Sequence, residues 1–392
     1  MFSNLTSFLW LLPLVVLALG ATLYFRRPPQ IVLERIHPPY ASVDQNVPVK
    51  LELTLHAPFP VRLLLRDPPP KTLIPSRVLE WGGLFWGTHF ETITLEVKLN
   101  VRGEYLWENV TLEWSDPFGL VWRTSKLEVK SKIIVFPAYH PALLPDLLRP
   151  LLSDGKAGAR IGLEDPSSLR GVRQYQFGDS LNRIHWRQTA RNSHLNYPMV
   201  RELERVTSSS LQVHLDVLDT SPRSEYSGPG YSSSEQFVES AVKLAGSLLR
   251  QSEIEYQSIC LSTYVGRTSP GRGENPLIEA LTLLARAQPT LLDTSTIPRP
   301  AFGANLVILT QHPTLKLLES ALQARATAAR VLIVVIHEGF YLEPQQKPRR
   351  IWAGLHESVR TLERQAAVLS EQGVRVFLLR GDQSVLELGT RG

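Results

Sequence analysis

The rhythm of hydrophobic and polar positions changes twice along this chain. Residues 5–25 form an unbroken apolar run without a charged side chain. As a helix such a run is about 31 Å long, enough to cross the hydrocarbon core of a bilayer. Pro28 and Pro29 end it. A period of two follows. Val47, Val49, Leu51, Leu53 and Leu55 alternate with Pro48, Lys50, Glu52, Thr54 and His56, and Ile93, Leu95, Val97, Leu99 and Val101 alternate in the same way. Each stretch predicts a strand with one wet and one buried face. Shorter strands are predicted at 61–65, 110–114, 122–130 and 133–136, with turns at Pro68 to Pro70 and at Asp116-Pro117. From about residue 210 strands and helices alternate: strands at 211–218, 256–263, 306–310, 331–336 and 374–379, helices at 237–249, 277–287, 315–328 and 355–371. That alternation predicts right-handed crossovers and a parallel sheet covered on both faces.

The expected fold class is therefore multidomain α+β. A membrane anchor is expected over 1–28, and an antiparallel β-sandwich of immunoglobulin-like type over 29–140. A linking segment spans 141–207, and a doubly wound, Rossmann-like α/β domain spans 208–392. A chain of 392 residues is long enough for two or three cores. Its net charge of +5 and pI of about 9.3 suit an anionic surface or an acidic partner and specify neither. Cys260 is the one cysteine, so neither an internal disulfide nor a CxxC zinc site can form, and its apolar strand makes it a core residue.

Two readings compete for the first 25 residues. Ala18 to Gly20 could serve a signal peptidase, but the first four residues lack Lys and Arg. Arg26 and Arg27 directly after the run favour an uncleaved anchor with its basic end in the cytoplasm. A single pass with the body in the cytoplasm follows.

The segment 173–191 concentrates an aromatic, a Gly-Asp turn, a Trp and a basic run. Asp179 or Ser180 can cap a helix after the turn, with Leu181, Ile184 and His185 as its apolar side. Arg183, Arg187 and Arg191 recur every four residues, so one helix would align them in a stripe. A solvated helix face paired with Glu164, Asp165, Asp179, Glu202 and Glu204 is the plain alternative. The order Arg173, Tyr175, Gly178-Asp179, Ile184, Trp186, then Thr189-Ala190-Arg191 resembles the signature of the family called domain of unknown function 58. Upstream, Arg102 to Tyr105, Asp116 to Leu120 and Ile134 to Pro137 also resemble it. The resemblance implies a C-terminal von Willebrand factor type A-like domain and a MoxR-type AAA+ ATPase as partner. Its residues Arg173, Tyr175, Gly178, Asp179, Ile184, Trp186, Ala190 and Arg191, together with Arg183 and Arg187 of the stripe, are expected to form the signature and partner-binding set.

Type A domains often hold a divalent cation through Asp-x-Ser-x-Ser, a Thr and a second Asp. Here Asp219 and Ser221 fit, but Arg223 stands at the second Ser, and Thr310 is followed by Gln311 rather than a carboxylate. Hard cations want charged oxygen ligands. The site is read as degenerate, with Asp219, Ser221 and Thr310 as its remnants and no cofactor expected. No HExxH, GxSxG or GxGxxG motif sits in a suitable context, and the Gly-rich stretch 155–162 lacks the GxxxxGK[ST] pattern. His185 is the best acid–base candidate. The expectation is a membrane-anchored, non-enzymatic adaptor. The rivals are a metal-dependent ligand binder or enzyme, and nucleic-acid binding through the arginines, which is not expected.

Overall fold

The computed structural model describes residues 24–70, 78–139, 163–191, 197–206, 210–219, 233–255, 257–336, 357–379 and 386–388, with isolated positions between 13 and 20. Most of the predicted anchor lies outside them, as do the stretch 155–162, Ser221 and Arg223. Among the described residues no helix is long and apolar enough to cross a membrane. The chain is mixed α+β, with three sheets among the described residues, and divides into two compact units, Met1–Pro137 and Ala138–Gly392.

In the first unit the period-two stretches become antiparallel strands. They are β1 (Gln30–Ile36), β3 (Asn46–Asp67), β4 (Leu79–Lys98), β5 (Gly103–Ser115) and β6 (Arg123–Phe136), with the short β2 (Tyr40–Ser42) parallel to β6. The predicted strands at 47–55 and 61–65 are one strand. A bulge between Ala57 and Val61 takes up Pro58, Phe59 and Pro60 without breaking the pairing with β4. β1 pairs with the first half of β3, β5 with its second half, and β4 runs the whole length of its other edge. Leu51, Leu53, Leu55, Leu63, Leu65, Leu112 and Trp114 fill one apolar cluster, and Val47, Val49, Leu99, Trp107 and Ile133 fill another.

One ion pair sits inside this unit. Arg35 donates to both oxygens of Asp67, at 3.1 and 2.7 Å. Its remaining nitrogen donates to Val129 O at 2.6 Å and Ser131 Oγ at 3.0 Å. The guanidinium is wholly buried, 5.8 Å from the Trp107 ring centre. A charge so far from water is tolerable because every nitrogen has an acceptor.

The second unit holds a seven-stranded sheet in the order β11-β10-β9-β12-β13-β14-β15. Five strands are parallel: β9 (Ser210–Leu215), β10 (Ser258–Thr263), β12 (Asn305–Thr310), β13 (Arg330–Ile336) and β14 (Val374–Leu379). Short antiparallel strands, β11 (Gly266–Arg267) and β15 (Leu386–Leu388), close the edges. Four of the helices are α2 (Ser233–Ile254), α3 (Glu274–Arg286), α4 (Leu315–Ala324) and α5 (Glu357–Glu371). Thr314 caps α4 by accepting the Leu317 N–H. β9 and β12 are neighbours, while β9 continues in sequence to β10 on its other side. The strand order therefore reverses between β9 and β12, the place where open α/β sheets bind ligands beyond their strand ends.

A separate hairpin, β7 (Leu163–Gln174) and β8 (Met199–Val206), carries the signature segment between its strands.

Candidate functional site

The signature begins with a clasp. Arg173 donates through two nitrogens to the Asp179 carboxylate at 2.7 and 2.6 Å, and the Gln176 N–H donates to the same carboxylate at 2.8 Å. Gly178 lies between them at φ +103°, a region that L side chains rarely adopt. The Arg173 hydrogen bonds first, and the Gln176 N–H second, hold the Asp179 pKa at about 2. Asp179 thus closes the loop rather than capping a helix.

The predicted continuous helix is absent. Leu181–Arg183 form one 3₁₀ turn, whose Ser180 makes no side-chain cap bond. Ile184 is extended and buried, and bridges Val200 of β8. Only Trp186–Arg191 are α-helical, as α1. The cause is β8. His185 N–H donates to Met199 O at 2.7 Å, and Met199 N–H donates to Thr189 Oγ1 at 2.9 Å. Tertiary pairing outweighs local helix propensity here. The three-arginine stripe is broken as a result. Arg187 and Arg191 share a face of α1, whereas Arg183 belongs to the preceding turn.

Trp186 is 69% exposed, not a buried core ring. Phe177 is fully exposed, and Leu181 and Ala190 also face solvent, while Tyr175 is half-buried with its N–H on Pro198 O. The signature therefore divides by role. Arg173, Gly178, Asp179, Ile184 and Thr189 build the hairpin, and Phe177, Leu181, Trp186, Arg187 and Arg191 are displayed by it. His185 uses Nδ1 to accept the Gln188 N–H at 3.2 Å, a capping task at the start of α1.

A second cluster occupies the strand-order reversal. Asp216, just past β9, is buried and accepts hydrogen bonds from Thr294 Oγ1 and, at 2.8 Å, from Thr310 Oγ1. The fully buried His214 contacts Ser262 Oγ at 2.9 Å and Thr294 O at 3.0 Å. Burial pushes its pKa down, against the opposing pull of Thr294 O and Asp216. A carbonyl only accepts, so neutral His214 carries its proton on Nε2 and receives the Ser262 hydroxyl at Nδ1. Thr310 is thus committed to Asp216. Asp219 accepts Ser234 Oγ at 2.7 Å, and its N–H donates to Thr290 O. Asp219 and Thr310 therefore have different hydrogen-bond partners, Ser234 and Thr290 for the first and Asp216 for the second. No group of three or more His, Cys, Asp or Glu placed for a metal occurs among the described residues. Cys260 is buried, with Sγ on Thr268 O.

Sequence reasoning passed over His214 and Asp216. The available signal was Gln212, His214 and Asp216 at every second position of an otherwise apolar strand. Polar groups so placed in a sheet covered on both faces need built partners.

Residues 171–336 match the family model described as protein of unknown function DUF58. The DUF58 interval takes in most of the signature hairpin and the sheet through β13. A curated relative, the uncharacterized protein YeaD of Bacillus subtilis (strain 168), is 28% identical over 132 residues, 33% of this chain and 32% of its own. The chain thus matches about a third of that relative's length. Among solved structures, the CARDB domain of a Pyrococcus furiosus protein in complex with di-metal ions covers 27% of this chain and 93% of its own, at 13% identity and a TM-score of 0.21. The PKD domain of an M14-like peptidase from Thermoplasmatales archaeon SCGC AB-540-F20 covers 26% and 98%, at 11% identity and a TM-score of 0.17. At such scores neither likeness bears on fold or function.

Proposed function

We propose that this chain is a membrane-anchored, non-enzymatic adaptor whose signature hairpin docks a MoxR-type AAA+ ATPase in the assembly or maturation of a membrane or envelope complex. The ATPase identity comes from the resemblance of the signature. The docking role rests on one observation: Phe177, Leu181 and Trp186 stand in solvent beside Arg187 and Arg191, on a loop clasped at its base. Exposed aromatics next to arginine are the side chains that dominate protein interfaces. A loop this well tied loses little freedom on binding.

The finer fold belongs to the same reading. The antiparallel strands of the first unit suit an immunoglobulin-like module, although they pair into one six-stranded sheet rather than two. The five parallel strands, with a short antiparallel strand at each edge, support a type A-like second unit. Thr310, the described hydroxyl that would meet a cation in a working type A site, instead donates to Asp216, which weighs against the metal-dependent alternative. The test is a titration of the full chain in detergent with the purified ATPase, nucleotide and Mg²⁺ held constant. Trp186→Ala should weaken capture. Unchanged affinity with both Trp186→Ala and Phe177→Ala would overturn the docking role.

A further inference from the structure

The outer face of the first unit carries an aromatic patch that its core does not need. Along β4 the inner positions Trp81, Phe85 and His89 stack in series, with ring centres 4.6 and 5.5 Å apart. By the period of two, Leu84, Trp86 and Phe90 point the other way. They are exposed, Trp86 by 70% and Phe90 by 76%. The register extends the patch across the sheet. Val32 of β1, Thr54 of β3 and Phe90 form one row, and Val32 is itself 69% exposed. Arg62 faces Leu84 in another. Phe59, in the bulge of β3, is exposed between these rows.

A loop adds to the same side. Asp116 accepts the N–H groups of Phe118, Leu120 and Val121 at 2.9, 3.0 and 3.0 Å, folding 116–121 around its carboxylate. Gly119 supplies the positive φ of +75°. Arg62 Nε donates to Pro117 O at 3.0 Å, which ties the loop to the Arg62–Leu84 row. Phe118 and Leu120 are then left in solvent. A soluble protein seldom displays so many large apolar side chains together.

Two observations identify what covers them. The first is continuity with the N-terminal apolar run. Trp114 Nε1 donates to Phe25 O at 2.9 Å, and the Tyr24 ring meets Phe59 edge-on at 4.8 Å. The end of the run is therefore pinned beside the patch, over a groove of about 460 Å³ that Arg27 and His56 help to line. The second is charge. Between the Val32 row and the Arg62 row the outward positions of β1, β3 and β4 hold His56 and Arg62 but no Asp or Glu. Carboxylates begin one row beyond at either end, at the neighbouring pair Glu34 and Glu52 and at Glu113 of β5 beside Leu64. The Asp116 carboxylate of the loop is taken up by three backbone N–H groups. Aromatic side chains with flanking cations and excluded carboxylates are the chemistry of the bilayer interface.

We propose that this face, centred on Trp86, Phe90 and Phe118, lies against the anionic headgroup region of the membrane in which the N-terminal run is anchored. This rests on the anchored reading given above. The apolar side chains enter the interface and Arg62 and His56 meet lipid phosphates, as with an amphipathic element lying flat on a bilayer. The face then sets the orientation of the first unit, which a single spanning helix leaves free to swivel.

The full chain in a Cys260→Ala background carries Phe90→Cys, labelled with an environment-sensitive fluorophore, in vesicles containing phosphatidylglycerol. Glu319→Cys on α4 serves as the solvent reference. Blue-shifted emission, quenched by shallow spin-labelled lipid and shielded from aqueous iodide, is expected at position 90. Iodide quenching at position 90, in a chain that alkali does not extract, overturns the proposal and leaves the anchor standing. Shielding from both quenchers assigns the face to a second copy or a protein partner and also overturns it. Release of the chain by alkali overturns the anchor and this face together.

Discussion

Arg173 and Asp179 face each other across the signature turn, two guanidinium nitrogens on two carboxylate oxygens at 2.7 and 2.6 Å. The pair makes the turn sensitive to acid. The Asp179 carboxyl is held at about 2, below its ordinary 3.8. A depressed carboxyl pKa contributes stability that is complete above the unfolded value and is lost as pH falls through the folded one. Protection factors of the 175–181 amides, taken against the intrinsic exchange rate at each pH, should therefore fall between pH 4 and pH 2, with little change above. Carboxyl-carbon NMR should place Asp179 near 2, and Arg173→Gln should move it upward. A normal carboxyl value in the intact chain would contradict the clasp.

Trp186→Ala should leave the fold almost untouched. Surface substitutions away from special features change stability by about 0.5 kcal/mol or less. Binding to the ATPase should nevertheless fall at least tenfold, about 1.4 kcal/mol. Urea unfolding and titration with the partner separate the two quantities. A loss of several kcal/mol in the unfolding experiment would mean that the ring is buried.

Arg187→Glu should weaken the same binding by about tenfold, roughly 1.4 kcal/mol, while EDTA has no effect once the ATPase's own Mg²⁺ is controlled for. Arg183→Glu should matter less than Arg187→Glu, since it lies on the turn rather than on α1. Binding abolished by chelation and indifferent to Arg187 would return Asp219 to a working metal site.

Thr310→Val removes one of the two hydroxyl donors to buried Asp216. Leaving a buried acceptor short of a partner costs about 1–3 kcal/mol. Urea unfolding of the full chain in detergent should show that loss in the transition of the second unit. A change within error would mean that water replaces the hydroxyl.

In the first unit, Asp67→Ala should cost about 3–5 kcal/mol, because it strands the buried Arg35 charge. The double change Arg35→Met with Asp67→Leu should recover most of that loss. The comparison is between the two unfolding midpoints. Equal midpoints would show that the pair's geometry, and not its stranded charge, sets the stability.

The strands of both units were readable because burial writes its own period. Leu51, Leu53 and Leu55 announce a one-sided strand, and Val331 to Ile336 a two-sided one. β4 before residue 93 was hidden, because its outer face holds Leu84, Trp86 and Phe90 where alternation calls for polar residues. In 181–191 the helical spacing was real, but Ile184 answered to Val200 across the hairpin instead. Asp216 and His214 escaped notice since their partners, Thr294, Thr310 and Ser262, lie 48–94 residues away in sequence.

The strand order of the second unit also governs how the chain can be made. β9 pairs early with β10, but its other edge pairs with β12, whose last residue is Thr310. Until nearly a hundred further residues have left the ribosome, an apolar strand keeps an open row of N–H and C=O groups. Such edges recruit other chains. The half-made protein is thus at its most adhesive in the interval between β10 and β12, and any chain truncated there inherits that edge permanently.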